Sequence, residues 1–310
     1  MTNRAIILTG FGGADALELS SAPMPEAKPG FVVVRVRAAG INGLDWKIRE
    51  GYLKDAFKTE FPTVLGLELA GEVTAVAADS RFAIGDRVLG LAAPGSGAYA
   101  DYVAVPEALL APIPAAVADT TAAALPVAGL TAWQMLHAAG SPKAGETVLV
   151  HGAAGGVGTL LVQMAKQLGL RVVATASSAS RPHLMALGVD IVIDRSAEKF
   201  EQIVKNVDLV IDLAGGDAPD RSWPVLREGG TLVSAARFDI AAPRTDGRRG
   251  IAFQMQPDSD RIRRIAEATA SGELTMTISE TVPLSALPAA IEQNRTGHGP
   301  GKAVADFTLA

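Results

Sequence analysis

The chain has 310 residues, 48% of them hydrophobic, enough for a sizeable core and more than one domain, because single cores stop growing at about 250–300 residues. A net charge of −5, with 20% charged residues and no basic run, argues against nucleic acid or a membrane surface as partner and for a small neutral substrate. There is no cysteine, which excludes disulfides, thiolate nucleophiles, iron–sulfur clusters and Cys-ligated zinc. No stretch reaches about 18 uninterrupted apolar residues, and Met1 to Leu8 runs into a strand-like pattern rather than a signal-peptide core, so a cytoplasmic protein is expected.

Residues 1–118 carry short β-like runs punctuated by Gly and Pro: Ala5–Leu8, Phe31–Ala38, Glu68–Val76, Arg87–Leu89 and Tyr99–Val105. They predict an irregular β barrel. From about Asp119, apolar strands at Val148–His151, Arg171–Thr175, Ile191–Asp194, Leu209–Asp212 and Thr231–Ser234 alternate with helical stretches. This predicts βαβ units around a parallel sheet buried on both faces, hence an α/β protein with a doubly wound second domain. Beyond residue 257 a helix near Asp258–Ala270, a strand near Leu274–Ile278, a short helix near Ala286–Asn294 and a strand near Ala303–Leu309 are expected to return to the first domain. The expected boundaries are 1–118 with 265–310 for that domain and 119–264 for the other, the Ala- and Pro-rich run Ala111 to Ala124 holding the crossing.

The most specific local signal is Val148-Leu149-Val150-His151-Gly152-Ala153-Ala154-Gly155-Gly156-Val157-Gly158, followed by Leu160, Leu161, Met164, Ala165 and Leu168 at helical spacing. Strand, tight turn and helix follow one another. Backbone amides from Ala153, Ala154, Gly155, Gly156 and Val157 would face a pyrophosphate at the positive end of the helix dipole, and Gly158 would let helix and strand approach. Ala153 replaces the first glycine of the dinucleotide fingerprint, and its Cβ removes freedom from the turn. A glycine-rich connection in another kind of α/β protein is the alternative, disfavoured by the strand–helix alternation that follows. An NAD enzyme needs an acidic residue about 20 positions on to hold the ribose hydroxyls. Val172-Val173-Ala174-Thr175-Ala176-Ser177-Ser178 offers none. Ser177 and Arg181 instead suit a 2′-phosphate, so NADPH is the expected cofactor; the alternative is that Ser177 caps a helix and Arg181 is solvated.

With these motifs in place, the chain resembles the zinc-free quinone oxidoreductase and 2-alkenal (enone) reductase branch of the medium-chain dehydrogenase/reductase superfamily. The resemblance rests on residues 39–51 (Ala-Gly-Ile-Asn-Gly-Leu-Asp-Trp-Lys-Ile-Arg-Glu-Gly), 61–71 (Phe-Pro-Thr-Val-Leu-Gly-Leu-Glu-Leu-Ala-Gly), Gly85-Asp86-Arg87-Val88 and 97–102 (Gly-Ala-Tyr-Ala-Asp-Tyr). It continues through 125–132 (Leu-Pro-Val-Ala-Gly-Leu-Thr-Ala), the glycine loop, Asp208-Leu209-Val210-Ile211-Asp212 and 297–302 (Gly-His-Gly-Pro-Gly-Lys). Each segment is weak alone; their order and spacing are specific. The resemblance implies a GroES-like catalytic domain built from both chain ends, a central Rossmann NADP-binding domain and an active-site cleft between them. Zinc-dependent relatives place a Cys where this chain has Asn42 and a His where it has Leu67, so no metal is implied. What remains is NADPH-dependent hydride transfer to a quinone or to the C=C of an α,β-unsaturated carbonyl. Arg195 is a departure, standing where many relatives have a Tyr that contacts the cofactor.

Asn42, Asp45 and Lys47 fall on the segment that in this family lines the nicotinamide pocket, with Asp45 assigned to the cofactor. Lys47 would stabilise an enolate or half-reduced quinone oxygen and relay a proton. The bland reading is an Asp45–Arg49 surface pair with Lys47 in solvent. Tyr52 would donate to a substrate carbonyl, or else pack on a loop. Glu68 is expected to be structural. Thr131, placed at the start of a helix, would contact the nicotinamide side or simply cap that helix, and Lys302 would bind the cofactor. His137, His151, His183 and His298 share no metal-ligand spacing and are read as neither ligands nor bases. Two rivals stay open: a trans-enoyl reductase of a fatty-acid or polyketide pathway, and an NADPH-binding sensor without turnover. The resemblance admits a homodimer, though no surface feature of the sequence marks one.

Overall fold

A computed structural model describes residues 2–55, 59–93, 95–297 and 299–309. His298 lies outside them. The chain divides into two compact units, Met1–Val127 with Pro257–His298 and Lys302–Ala310, and Ala128–Gln256 with Gly299–Gly301.

The elements run β1 (Asn3–Leu8), β2 (Leu17–Ala22), β3 (Phe31–Gly40), α1 (Gly43–Arg49), β4 (Thr63–Val64), β5 (Glu68–Val76), β6 (Arg87–Leu91), β7 (Tyr102–Pro106), β8 (Leu110–Pro112), α2 (Asp119–Ala123) and α3 (Pro126–His137). Next come β9 (Thr147–His151), α4 (Gly156–Gln167), β10 (Arg171–Ala176), α5 (Arg181–Ala186), β11 (Ile191–Asp194), α6 (Phe200–Ile203), β12 (Val207–Asp212), α7 (Ala218–Ser222), β13 (Leu226–Ser234) and β14 (Arg249–Ala252). The chain closes with α8 (Ser259–Ala270), β15 (Ile278–Val282), α9 (Leu287–Thr296) and β16 (Lys302–Asp306).

In the first unit one sheet has the order β15-β16-β3-β5-β6-β8, with β7 also on β3, and a second has the order β2-β1-β4. Among the described residues of this unit, the strand pairings are antiparallel except β15–β16, which is parallel. The long apolar strand β3 explains the arrangement. Residues 31–35 pair with β7 and residues 38–40 with β16, and its register against β5 breaks between Val36 and Ala38, a bulge that bends the strand where it changes partner. Ile6, Leu8, Val32, Val34, Leu69, Val73, Val88 and Tyr99 form the centre of the core. Helix α2 packs on β3 and β5 through Ala122 and Ala123, and α8 packs on β8 and β6 with Ile262 and Ile265 buried. Residues 119–127 and 257–264, which the sequence assigns to the dinucleotide-binding domain, therefore lie in the first unit. The strand expected at Leu274–Ile278 sits later, as β15, because Leu274 and Met276 are buried core residues of the segment leading into it.

In the second unit the sheet order is β11-β10-β9-β12-β13-β14, all parallel. Counted from β9 this is 3-2-1-4-5-6, the doubly wound order, whose ligand position is at the carboxyl ends of the strands where the order reverses. Leu149, Val173, Ile193, Val210 and Leu232 pack in its core. Residues 299–301 belong here because Gly301 N donates to Ala154 O at 2.8 Å, forming a parallel bridge beside Gly155. Among the described residues no helix is long and apolar enough to cross a membrane.

Candidate active site

In the second unit β9 ends at His151, and the turn that follows is made by Gly152, at φ 78°, a left-handed conformation that glycine adopts without strain. Ala153 is buried at a position that needs no positive φ. The loss of freedom expected from its Cβ therefore does not arise. Gly155 is the N-cap of α4, at φ −73° and ψ 174°, and no side chain caps this helix, so the amides of Gly156, Val157 and Gly158 stand at an open positive helix end. Ala154, Gly155, Gly156 and Val157 are partly exposed, as a cradle requires. Gly158 is buried, and a Cβ there would lie 2.5 Å from Ala153 Cα.

Strand β10 ends at Ala176, and Arg195 N donates to Ala176 O at 2.9 Å, which sets the exposed Arg195 beside Ser177. Ser177 Oγ meets Ser180 Oγ at 3.0 Å and makes no cap hydrogen bond. Arg181 begins α5 and reaches Glu198 only at 3.4 Å with both side chains largely exposed. The nearby Asp194 carboxylate is engaged by Ser196 N and Oγ at 2.9 and 2.6 Å. Thr131 is buried well inside α3 rather than at its start, so it does not cap.

Two polar devices that the sequence did not mark brace the same unit. His151 Nδ1 meets Thr175 Oγ1 at 2.8 Å and Nε2 meets Ser222 Oγ at 2.9 Å. Asp212, at the end of β12, accepts from Ser234 Oγ at 2.6 Å and from the amides of Ala214 and Gly215 at 3.0 and 2.8 Å, shaping the turn there. His137 bonds Trp133 O at 2.8 Å, and His183 lies 3.5 Å from Thr159 Oγ1. Among the described residues no three His, Asp or Glu side chains form a group that could hold a metal.

In the first unit the polar centre is Glu68, which is 0% exposed. Its Oε1 accepts from Asn42 Nδ2 at 2.9 Å and Lys302 Nζ at 2.7 Å, and its Oε2 accepts from Val127 N at 2.7 Å. Lys302, 5% exposed, also donates to Asn42 Oδ1 at 2.5 Å. Asn42 Nδ2 further contacts Gly40 O at 3.3 Å. Asp45, 1% exposed, accepts from Asn42 N and from Tyr99 OH, both at 2.7 Å on Oδ2, while its Oδ1 has no partner. Burial pushes this carboxyl up to about 6, against the pull of Tyr99 and Asn42, and burial also raises the Tyr99 hydroxyl.

This geometry alters several expectations. Asp45 and Lys302, read from the sequence as cofactor contacts, spend their charged ends inside the first unit. The alternative surface pair fails as well: Arg49 is fully buried and binds Glu50 and Glu292, at 2.6 and 2.7 Å, not Asp45. Lys47 and Tyr52 both approach Trp46, with the Lys47 ammonium 5.6 Å from an indole centroid and the Tyr52 ring edge-on at 5.7 Å. Tyr52 is 71% exposed and Lys47 half-buried.

Residues 28–115 match the alcohol dehydrogenase GroES-like domain, and residues 187–304 the zinc-binding dehydrogenase family. An NADPH-dependent alkenal/one oxidoreductase of Arabidopsis thaliana is 33% identical over 97% of this chain and 78% of its own length. Erythronolide synthase EryA2 of Saccharopolyspora erythraea is 34% identical over 96% of this chain, which spans 9% of that protein. Among solved structures, the quinone oxidoreductase of Coxiella burnetii superimposes with a TM-score of 0.91 at 33% identity, covering 99% of this chain and 100% of that one. The chain belongs to the medium-chain dehydrogenase/reductase superfamily of oxidoreductases, with a GroES-like domain joined to a Rossmann domain.

Proposed function

We propose that the protein is an NADPH-dependent oxidoreductase that transfers hydride, without zinc, to a quinone or to the C=C of an α,β-unsaturated carbonyl. The observation that carries this reading is the end of β10: Ser177 stands beside Arg195 and is followed by Arg181, while the carboxylate of Asp194 is bound to Ser196 and that of Glu198 meets Arg181 only at 3.4 Å. Such a setting favours a 2′-phosphate over free ribose hydroxyls. The uncapped N-terminus of α4 fits the pyrophosphate of such a cofactor, held by the amides from Gly155 to Gly158, with Ala153 and Ala154 shaping the turn.

NADPH bound there supplies the hydride. The chain's own residues then bind and orient. Ser177, Arg181 and Arg195 hold the 2′-phosphate. Thr131 lines the nicotinamide side from α3. Asn42 positions rather than reacts, since its amide hydrogens are directed at Glu68 and Gly40. Lys47 and Tyr52 keep an ammonium and a hydroxyl available to place a proton on the acceptor oxygen. A catalytic zinc does not fit these residues: there is no thiolate, Leu67 replaces an imidazole, and an ammonium already sits on Glu68.

Stopped-flow oxidation of NADPH and of NADH, with 9,10-phenanthrenequinone, a short 2-alkenal and crotonyl thioester as acceptors, tests the reading. NADPH is expected to be preferred, and Arg181→Ser with Arg195→Ser to raise its KM by roughly 10- to 100-fold, the loss of about 1.4–2.8 kcal/mol, with NADH unaffected. A preference for NADH overturns the cofactor assignment. Turnover with the thioester alone favours a trans-enoyl reductase. Binding of NADPH with no acceptor reduced leaves a sensor.

A further inference from the structure

A fully buried carboxylate is costly unless it is paired, and Glu68 is paired in an unusual way. The Lys302 ammonium lies 2.7 Å from Glu68 Oε1 and 2.5 Å from Asn42 Oδ1, a carboxylate and an amide oxygen of the kind that would ligate a hard divalent ion. The amide orientation of Asn42 follows from the network: its oxygen faces the ammonium and its NH2 faces Glu68 and Gly40 O, whereas the flipped form would set donor against donor. Gly40 makes the room, since a Cβ there would overlap Glu68 Oε1. Asn42 stands where zinc-dependent relatives have a metal-binding cysteine.

We propose that the Lys302 ammonium is the resident cation of this site, a positioning residue that supplies the single positive charge the Asn42–Glu68 oxygen pair accepts. It fixes the Asn42 amide and keeps divalent metal out. Removing the side chain without its charge partner turns the pocket into a vacant cation site for a small alkylammonium ion.

The test is thermal unfolding and metal content of Lys302→Ala, Lys302→Arg and Lys302→Ala with Glu68→Gln, each against the unaltered protein. Lys302→Ala is expected to lower Tm by roughly 5–10 °C, because it strands a buried charge. Ethylammonium chloride should restore at least half of that loss, tetramethylammonium chloride at equal concentration should not, and neither should shift the unaltered protein. Lys302→Arg should retain most of the stability. The Glu68→Gln double variant should be more stable than Lys302→Ala and indifferent to ethylammonium. After incubation with zinc chloride and desalting, the unaltered protein should carry no stoichiometric zinc.

A Lys302→Ala protein as stable as the original, equal effects of the two ammonium ions, or about one zinc per unaltered chain would overturn the proposal. If Lys302→Ala does not fold, the double variant and the zinc measurement still decide it. No readout here involves turnover, so failure of this proposal and failure of the reductase reading are separable.

Discussion

Protonating His151 should weaken the fold, and the effect can be worked from its partners. The Ser222 hydroxyl donates to Ala218 O at 2.7 Å, so its oxygen is left to accept from His151 Nε2–H, and Nδ1 takes the Thr175 hydroxyl. The partners thus select the neutral Nε2–H tautomer. Burial dominates in pushing the imidazole from 6.5 to about 4, with the Asp212 charge pulling the other way. Above pH 6.5 both folded and unfolded chains hold a neutral ring and the contribution is fully present. Between pH 6.5 and 4 the unfolded chain binds the extra proton, so stability falls as pH falls. The difference of 6.5 − 4 corresponds to about 3 kcal/mol at 1.36 kcal/mol per unit. Urea unfolding of the original protein and of His151→Gln from pH 8 to pH 4 measures it. The stability advantage of the original should shrink by about 3 kcal/mol across that window, and an advantage that stays constant would refute the reasoning.

Asp45 should act with the opposite sign: its carboxyl is raised from 3.8 to about 6, so its contribution is complete below pH 3.8 and lost as pH rises through 6, again by about 3 kcal/mol. Asp45→Asn should remove that decline, and parallel Tm–pH curves for the two proteins would contradict it. Gly158→Ala drives a Cβ to 2.5 Å from the backbone of Ala153; calorimetry should show a stability loss of about 1–3 kcal/mol together with weaker NADPH binding, and unchanged values for both would remove the packing role. Arg49→Met leaves Glu50 and Glu292 without their shared guanidinium; because both carboxylates are partly exposed the cost should be about 1–3 kcal/mol, and Glu292→Gln, which keeps the Glu50 contact, should cost less in the same urea titration.

The second unit was the more legible half because its parallel strands are buried on both faces and read as uninterrupted apolar runs. Leu209-Val210-Ile211 is an example, and all five predicted strands recur in the sheet. What escaped were the edges. Strand β14 is Arg-Gly-Ile-Ala and none of its residues is fully buried, so no periodicity marks it. Strand β2, Leu-Glu-Leu-Ser-Ser-Ala, is exposed along most of its length and is held in place by pairing with β1 rather than by burial. The glycine loop was legible as a motif, but the residue carrying the left-handed turn was not: Gly152 does so, and Ala153 serves as the floor on which Gly158 packs. His151 gave no signal because its partners, Thr175 and Ser222, are distant in sequence and ordinary in type.

The segment 39–51 shows how a pocket motif can mix structural and chemical residues, and how helix periodicity sorts them. Asn42, Asp45 and Arg49 recur at spacings of three and four and are themselves buried, each held by hydrogen-bond or ion-pair partners. Lys47 lies off that stripe, half-buried with its ammonium over Trp46, and Tyr52 follows just beyond the helix and is largely exposed. Residue type alone ranked Asn42 and Asp45 beside Lys47 as site residues, whereas rotation about the helix separates them. A group already committed to two or three internal hydrogen bonds has little left to offer a reacting oxygen, since forming a new bond means breaking an old one in a low-dielectric interior. On the function proposed above, proton delivery would fall to Lys47 and Tyr52, and the inward set would keep the helix from turning. If so, substitutions on the inward stripe should lower stability and turnover together, while Lys47→Ala and Tyr52→Phe should lower turnover with Tm unchanged.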